Sequence, residues 1–306
     1  MNGIVMRSTG SWYEVLAESG TVYKARLRGK FKMKGLKVSN PIAVGDRVHL
    51  DQEGEEGTAV IKQIEERKNY IIRKSTHKAA HSHILAANLD LAILVVTLVS
   101  PRTSFGFIDR FLVTAEAYEI PVALVFNKAD LFDDDLADYQ QQVSNMYAQI
   151  GYPCFTASAA TGQGLGQIQA LLHDKITLVS GHSGVGKSTL LNALVPHLDL
   201  KTAEISDYSD KGKHTTTFAE MFAVKPGTYI IDTPGIKELG VVDMPKEQVS
   251  HYFPEMRERL NQCRFNNCLH LNEPGCVVRE AVDKGKISLT RYQSYLSILE
   301  DEDTHR

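Results

Sequence analysis

Polar and apolar residues alternate along the first stretch of the chain, and the rhythm then changes twice. In "TVYKARLRGKFKMKGLK", Tyr23, Ala25 and Leu27 fall on one side of an extended chain and Lys24, Arg26 and Arg28 on the other. That is the period of a strand with one buried face. "VGDRVHLDQEGEEGTAVIKQI" reads as two further strands around a Gly/Glu turn. Short strands at this spacing predict a small all-β barrel over residues 1–70. A basic, polar connector is expected in "ERKNYIIRKSTHKAAHSHILAAN".

From about residue 88 the texture becomes strands alternating with helical stretches. Strands are predicted in "LDLAILVVTLVS", "IPVALVFNKAD", "YPCFTAS", "KITLVSG", "TTTFAEMFAV" and "GTYIIDTPG", with helices in "FIDRFLVTAEAYE" and "LADYQQQVSNMYAQI". This alternation predicts an α/β domain with a mostly parallel sheet, placed at 71–238. Residues 239–306 read as small and mainly helical: "KEQVSHYFPEMRERL" is one helical stretch. In the last one, Leu289, Tyr292, Leu296 and Leu299 recur at helical spacing and predict the inward face.

Composition narrows the class. A length of 306 residues suits two or three domains, and a net charge of −3 means that affinity for a polyanion must come from a local patch. The most apolar run, Leu91 to Val99, is too short to span a bilayer, and the N-terminus lacks the order of a signal peptide. Four cysteines, three of them close together, do not suggest a secreted disulfide framework. A cytoplasmic location without membrane contact is expected.

The chemistry concentrates in three short motifs. "GHSGVGKS" fits G-x-x-x-x-G-K-[ST] between an apolar strand and a helix, with Gly181, Gly186, Lys187 and Ser188 in the defining places. Such glycines let backbone N–H groups cradle phosphates, the lysine neutralises the β- and γ-phosphates and the serine ligates Mg²⁺. "DTPG" ends a strand with Asp232, expected beside Mg²⁺, and Gly235, expected at the γ-phosphate. "NKAD", Asn127 to Asp130, ends another. Asp130 can accept two hydrogen bonds from guanine, a pair that adenine does not present, while Lys128 lays its stem along the base. Ser158 and Ala159 end the next strand, where a backbone N–H would meet the guanine O6. Each motif alone also fits a plain turn; together on strand ends they predict a guanine-nucleotide site.

Their order is unusual. NKAD and Ser158–Ala159 precede the phosphate loop, whereas GTPases ordinarily place them after it. Circular permutation explains this, and it is tolerated where the old termini lie close together. It also sends the γ-phosphate end straight into the C-terminal segment, which predicts that GTP state sets how that segment docks.

Between loop and DTPG lies "SDKGKHTTTFAE". One of Thr215, Thr216 and Thr217 is expected to reach Mg²⁺ and the γ-phosphate; Thr216 is carried forward, with the choice among the three open. Ile236 occupies the place where many GTPases have a water-orienting glutamine. Slow intrinsic turnover, stimulated by a partner, is the expectation. His214 is the candidate for orienting the water, with packing or solvent exposure as its other reading.

Two further features lie outside that domain. Cys263, Cys268, His270 and Cys276 fall within one short segment and suit a closed tetrahedral Zn²⁺ site, usually structural; three buried cysteines in a helical domain are the other reading. Lys24, Arg26, Arg28, Lys30, Lys32, Lys34 and Lys37 form a run without an acidic residue, either a nucleic-acid footprint or a solvated strand face. Trp12, Tyr23 and Phe31 would add stacking, and Arg279, Lys284, Lys286 and Arg291 a second positive area.

The joint pattern NKAD, SA, GHSGVGKS, HTTT, DTPG and C-x₄-C-x-H-x₅-C, behind a basic barrel, resembles the ribosome small-subunit-dependent GTPase A family over essentially the whole chain. The resemblance implies an OB-fold, a circularly permuted P-loop GTPase domain and a zinc-binding helical domain. It implies binding to the small ribosomal subunit and its rRNA at a late maturation checkpoint, with GTP hydrolysed to GDP and phosphate under stimulation by the subunit. Asn127, Lys128, Ala129 and Asp130 become guanine readers. Gly181, His182, Ser183, Gly184, Val185, Gly186, Lys187, Ser188 and Thr189 become the phosphate and Mg²⁺ holders, and the Cys/His set one structural Zn²⁺ site. A monomer is expected. A non-hydrolysing GTP-binding module and a zinc-passing GTPase are the competing classes; Ile236 favours the former, while Lys187, Ser188 and Asp232 speak against it. A nearly closed donor set disfavours the latter.

Overall fold

The computed structural model describes residues 1–28, 41–53, 57–74, 82–195, 198, 219–232 and 244–300. Five strands, β1 (Asn2–Ser8), β2 (Tyr13–Ala17), β3 (Val22–Leu27), β4 (Arg47–Gln52) and β5 (Thr58–Ile64), hydrogen-bond in the order β1-β2-β3-β5-β4, and β4 closes back on β1. This is the closed five-stranded barrel expected of an OB-fold. Its strands alternate as the sequence predicts: in β3, Ala25 is buried while Lys24 and Arg26 are exposed. Val5, Val15, Val48, Leu50 and Ile61 fill the interior. Lys30, Phe31, Lys32, Lys34 and Lys37 lie outside the described residues.

The expected polar connector differs. It contains a hairpin, β6 (Tyr70–Lys74) and β7 (Ser82–Ala87), with Ile71, Ile72, Ile84, Ala86 and Ala87 buried. A polar segment, "STHKAAH", separates the two strands and obscures their short apolar patches in the sequence. The hairpin is held to the barrel: Ala87 N–H donates to the Val44 carbonyl and Asn88 Nδ2 to the Gly45 carbonyl, both at 2.9 Å. Beside it Arg67 grips buried Asp46 with two bonds of 2.6 Å.

The remaining strands, β8 (Leu91–Val96), β9 (Val122–Phe126), β10 (Cys154–Thr156), β11 (Ile176–Ser180), β12 (Glu220–Lys225) and β13 (Thr228–Asp232), lie in the order β10-β9-β8-β11-β13-β12. The first five are parallel, and β12 runs antiparallel at the end. β8, β9 and β11 are buried at every position, as parallel strands covered on both faces must be. On one face α1 (Phe105–Ala117) and α2 (Asp134–Gln149) pack on Ala92, Leu94 and Val96; on the other α3 (Leu165–Leu172) and α4 (Lys187–Leu194) pack on Leu91, Ile93 and Val95. Each large side chain so buried contributes about 1.5–3 kcal/mol. Ser104 caps α1 and Asp133 caps α2, each accepting from a backbone N–H of the first turn. The barrel joins this sheet edge to edge, Arg7 of β1 opposite Glu220 of β12.

The C-terminal segment is helical but broken. α5 (Lys246–Val249), a 3₁₀ turn at Ser250–Tyr252 and α6 (Pro254–Arg257) replace the single expected helix, because Pro254 cannot continue one and starts the next. α7 (Val277–Asp283) and α8 (Leu289–Leu299) follow. α8 turns the predicted face inward at Leu299, which is buried, and at Tyr292 and Leu296, which pack half-buried against the same core, but not at Leu289, which is 58% exposed; Arg291, Tyr295 and Ile298 are buried beside them. Arg291, expected in a positive surface area, is 1% exposed and paired with Asp109 and Glu255. The apolar pattern missed Arg291 because a charged residue counts outward unless its distant partners are known. Among the described residues no helix is long and apolar enough to cross a membrane.

Candidate functional site

The motif residues that were far apart in sequence meet at the C-terminal edge of the parallel sheet, where β8, β9, β10, β11 and β13 end. The phosphate loop runs from β11 into α4. A Cβ on Gly181 would sit 2.6 Å from the Val95 carbonyl, and one on Gly186 would sit 2.6 Å from Asn127 Nδ2. Gly186 also has φ +83° and precedes the first turn of α4, so its backbone opens a helix N-terminus without a capping side chain. Val185 is buried, and Ser183, Gly184 and Thr189 are exposed.

Asn127, 1% exposed, connects this loop to the ends of β9 and β10: its Nδ2 donates to the Val185 carbonyl at 2.9 Å and its Oδ1 accepts from Ala159 N–H at 3.3 Å. Next to it Lys128 takes a left-handed conformation, φ 65°, and donates from Nζ to the Ser100 carbonyl. Asp130 is exposed, and one of its oxygens accepts from the buried Ser158 hydroxyl at 2.5 Å. Ser158 therefore orients the carboxylate, and Ala129 N–H donates to the Ala157 carbonyl at 3.0 Å to tie the two strand ends. Across the phosphate loop, the Lys187 ammonium pairs with the Asp232 carboxylate, both largely buried. Ser188 follows on the first turn of α4. His182 stacks on Phe107 of α1, ring centroids 3.7 Å apart. His214, Thr215, Thr216, Thr217, Gly235 and Ile236 lie outside the described residues, as does the whole stretch 233–243 expected to carry the GTP state into the C-terminal segment.

The arrangement brings together the Gly-rich loop, an exposed carboxylate at a strand end and a lysine–aspartate pair. Sequence reading does not single out Ser100 or Phe107. Both act through backbone position and packing, with no motif of their own.

A second cluster stands apart. The donor atoms of Cys263, Cys268, His270 and Cys276 all lie within 4.8 Å of one another. His270 Nδ1 is 3.7 Å from the Cys263 sulfur and 3.4 Å from that of Cys276, and those two sulfurs are 4.0 Å apart. The loop is built to hold them. Glu273 accepts from the N–H groups of Leu269 and Leu271, both at 2.7 Å, while the Tyr292 and Tyr295 hydroxyls donate to the carbonyls of His270 and Leu269. Burial pushes the Cys268 thiol up to about 12 and lowers His270, so both favour neutral forms until a cation offsets the cost. Three sulfurs and one imidazole nitrogen converging this closely form a candidate four-ligand metal centre.

Comparison with known proteins agrees with the geometry. The RsgA N-terminal domain profile matches residues 2–61 and the RsgA GTPase profile residues 64–242. "Small ribosomal subunit biogenesis GTPase RsgA" of Bacteroides fragilis (strain YCH46) is 54% identical over 303 residues, covering 99% of this chain and 97% of its own. The protein of the same name from Cytophaga hutchinsonii is also 54% identical, with both chains covered completely. The crystal structure of YjeQ from Thermotoga maritima superimposes with a TM-score of 0.81 at 37% identity, covering 100% of this chain and 99% of that one. YloQ, described as a circularly permuted GTPase, superimposes with a TM-score of 0.76 at 30% identity, over 100% and 96%. With a profile match across more than half its length and relatives this similar over nearly all of it, the chain belongs to the RsgA GTPase family.

Proposed function

We propose that this protein hydrolyses GTP to GDP and phosphate as a checkpoint factor in late maturation of the small ribosomal subunit, in the cytoplasm, with the subunit and its rRNA as partner and stimulus. The observation that carries the reading is Asn127: one buried amide holds the guanine-reading strand end, Ala159 and the phosphate loop in a single unit. The names of the relatives supply the process, small-subunit biogenesis.

In this reading Asp130, oriented by Ser158, accepts the two guanine N–H groups, and Lys128 covers the base. Lys187 turns from Asp232 towards the β- and γ-phosphates, beside N–H groups of the Gly181–Thr189 loop. Ser188 and Asp232 supply the oxygen ligands that suit Mg²⁺, a hard cation that would neutralise phosphate charge. Thr216, Gly235 and His214 are the assigned switch, γ-phosphate and water-orienting residues, from their places in the sequence. The Cys/His centre suits one structural Zn²⁺: a tetrahedron with Zn–S arms of about 2.3 Å and a Zn–N arm of about 2.0 Å has S–S edges of roughly 3.7 Å and S–N edges of roughly 3.5 Å, close to the S–S separation of 4.0 Å and the S–N separations of 3.4 and 3.7 Å in the cluster. Boundaries near 70/71 and 238/239 separate barrel, GTPase and zinc-binding parts.

The test is turnover of GTP and ATP with and without small ribosomal subunits. Specific GTP hydrolysis that rises with added subunits is expected. Equal rates with and without them would reject the checkpoint reading, and GTP binding without turnover would favour a purely structural nucleotide.

A further inference from the structure

Helix α1 belongs to two cores at once. Phe107, Phe111 and Leu112 pack in the core of the parallel sheet, while Val113 packs with Phe253, Val278 and Tyr295 of the C-terminal segment. Near the helix start, the Phe107 ring lies against His182 of the phosphate loop, centroids 3.7 Å apart and planes inclined by 31°. Two residues on, Asp109 accepts from the Tyr147 hydroxyl at 2.8 Å and from Arg291 Nη1 at 2.7 Å. Arg291 donates its Nε and Nη2 to Glu255, at 2.8 and 3.1 Å, and lies over the Phe253 ring at 4.5 Å. On the same helix, the Tyr292 and Tyr295 hydroxyls hold the carbonyls of His270 and Leu269, at 2.6 and 2.7 Å. A continuous set of packed contacts therefore runs from the phosphate loop to the Cys/His loop.

We propose that Phe107 and Arg291 are positioning residues that couple nucleotide occupancy of the phosphate loop to the packing of α8 and the Cys/His loop. The inference rests on reading the loop as a GTP site. When the loop turns its N–H groups onto phosphate, the ring that His182 presents to Phe107 shifts. A close-packed helix does not absorb such a shift locally, because its neighbours are already at contact distance. Arg291 passes it on: a buried guanidinium between two carboxylates has one good arrangement, since partial separation leaves buried charge unpaired. This route uses side-chain contacts of α1 and needs nothing from the chain connection at 233–243.

Amide hydrogen exchange of the full chain with and without GDP tests it. GDP is expected to slow exchange both in the phosphate loop and in α8 and residues 269–271, by about fivefold or more in α8, the low end of allosteric coupling. In Phe107→Leu, which stays apolar and loses the ring stack, the loop is still protected and the α8 response disappears. A merely structural role would alter exchange equally with and without GDP and would leave the difference in place. Loop protection with unchanged α8 exchange in the unaltered protein overturns the coupling and leaves the GTP site standing. An α8 response that survives in Phe107→Leu overturns the route. Absence of loop protection overturns the site reading, and this inference with it. The unaltered protein alone decides the first question, whether or not the variant folds.

Discussion

Asn127 Nδ2 lies 2.9 Å from the Val185 carbonyl, across 58 residues of sequence, and both residues are buried. One side chain thus satisfies a buried carbonyl of the phosphate loop and the N–H of Ala159. In Asn127→Ala both lose their partner. The expected cost is about 1–3 kcal/mol, since a buried group left unsatisfied loses its hydration for nothing. Guanine-nucleotide affinity is expected to fall with it, because the two halves of the site lose their common tie. Denaturant unfolding and GDP titration check the two effects separately; wild-type values in both would remove Asn127 from the architecture proposed.

Arg291 carries a sharper stability prediction. Asp109 and Glu255, each at most 5% exposed, depend on its guanidinium. Burial by itself would lower Arg291, but the two carboxylates hold it above its ordinary value, fully charged. Arg291→Met leaves two buried acids without a cation and is expected to cost about 3–5 kcal/mol. Replacing Asp109 and Glu255 with apolar residues in the same chain should recover most of that loss, because well-packed apolar groups substitute for buried ion pairs. Thermal or urea unfolding of the single and triple variants decides it. A single variant as stable as the wild type would mean the ion pairs contribute nothing.

Arg291 also shows where sequence reading stops. The Cys/His set is legible because its four donors fall within 14 residues, and the strand-end motifs are legible because their chemistry is written in short words. The buried strands announce themselves as unbroken apolar runs. Arg291 reads as surface because its partners stand 36 and 182 residues away, at Glu255 and Asp109. The apolar pattern of α8 therefore includes Leu289, which is exposed, and passes over Arg291, which is buried. Phe107 is similar: it reads as core, and only the fold shows that one edge of that core is the phosphate loop. The hairpin at 70–87 is hidden by the polar segment between its short strands.

Cys154 should be chemically quiet. It sits half-buried on β10 with its Sγ donating to the Tyr152 carbonyl, and burial pushes the thiol from 9.0 up to about 12. At pH 8 that leaves roughly a thousandfold less thiolate than in a free cysteine, and the thiolate is the reactive form. Alkylation of native protein at pH 8 should label Cys154 far more slowly than after unfolding. The sign of the linked stability follows: a folded pKa above the unfolded one favours the native state below pH 9, and this advantage is lost as pH rises towards 12. A Cys154→Ala variant should therefore lose less stability than the wild type across that alkaline window.

Removing metal should unfold the end of the chain selectively. Tyr292 and Tyr295 hold the backbone of the Cys/His loop only while the loop keeps its shape. Structural zinc in comparable sites contributes about 10–16 kcal/mol at neutral pH. Strong chelation, or Cys268→Ser, is expected to release one metal ion per chain, zinc on the proposed reading, and to weaken the near-ultraviolet signal to which Tyr292 and Tyr295 contribute. The barrel, whose core shares no residue with the cluster, should keep its strand content. Metal analysis with circular dichroism reads both, and a chain that keeps its tyrosine signal without metal would show that the cysteines are merely buried.

The proposal that the barrel binds rRNA can be tested through salt. Lys24, Arg26 and Arg28 are exposed on one face of β3 and beyond it, but they are not equivalent: Arg26 donates to Glu53 at 2.8 Å, so its charge is already partly matched. If this face meets phosphates, each neutralised contact changes the log–log dependence of affinity on salt by about 0.7–0.9. Lys24→Ala should lower the slope by nearly that full amount. Arg26→Ala should lower it by less, and Glu53→Gln should raise affinity by freeing Arg26 for phosphate. These titrations use small subunits at several ionic strengths, so uniform weakening from misfolding, which leaves the slope alone, is distinguished from lost phosphate contacts. If Lys24→Ala leaves the slope unchanged, the basic strand is a solvated face, and the barrel's contribution must come from elsewhere on its surface.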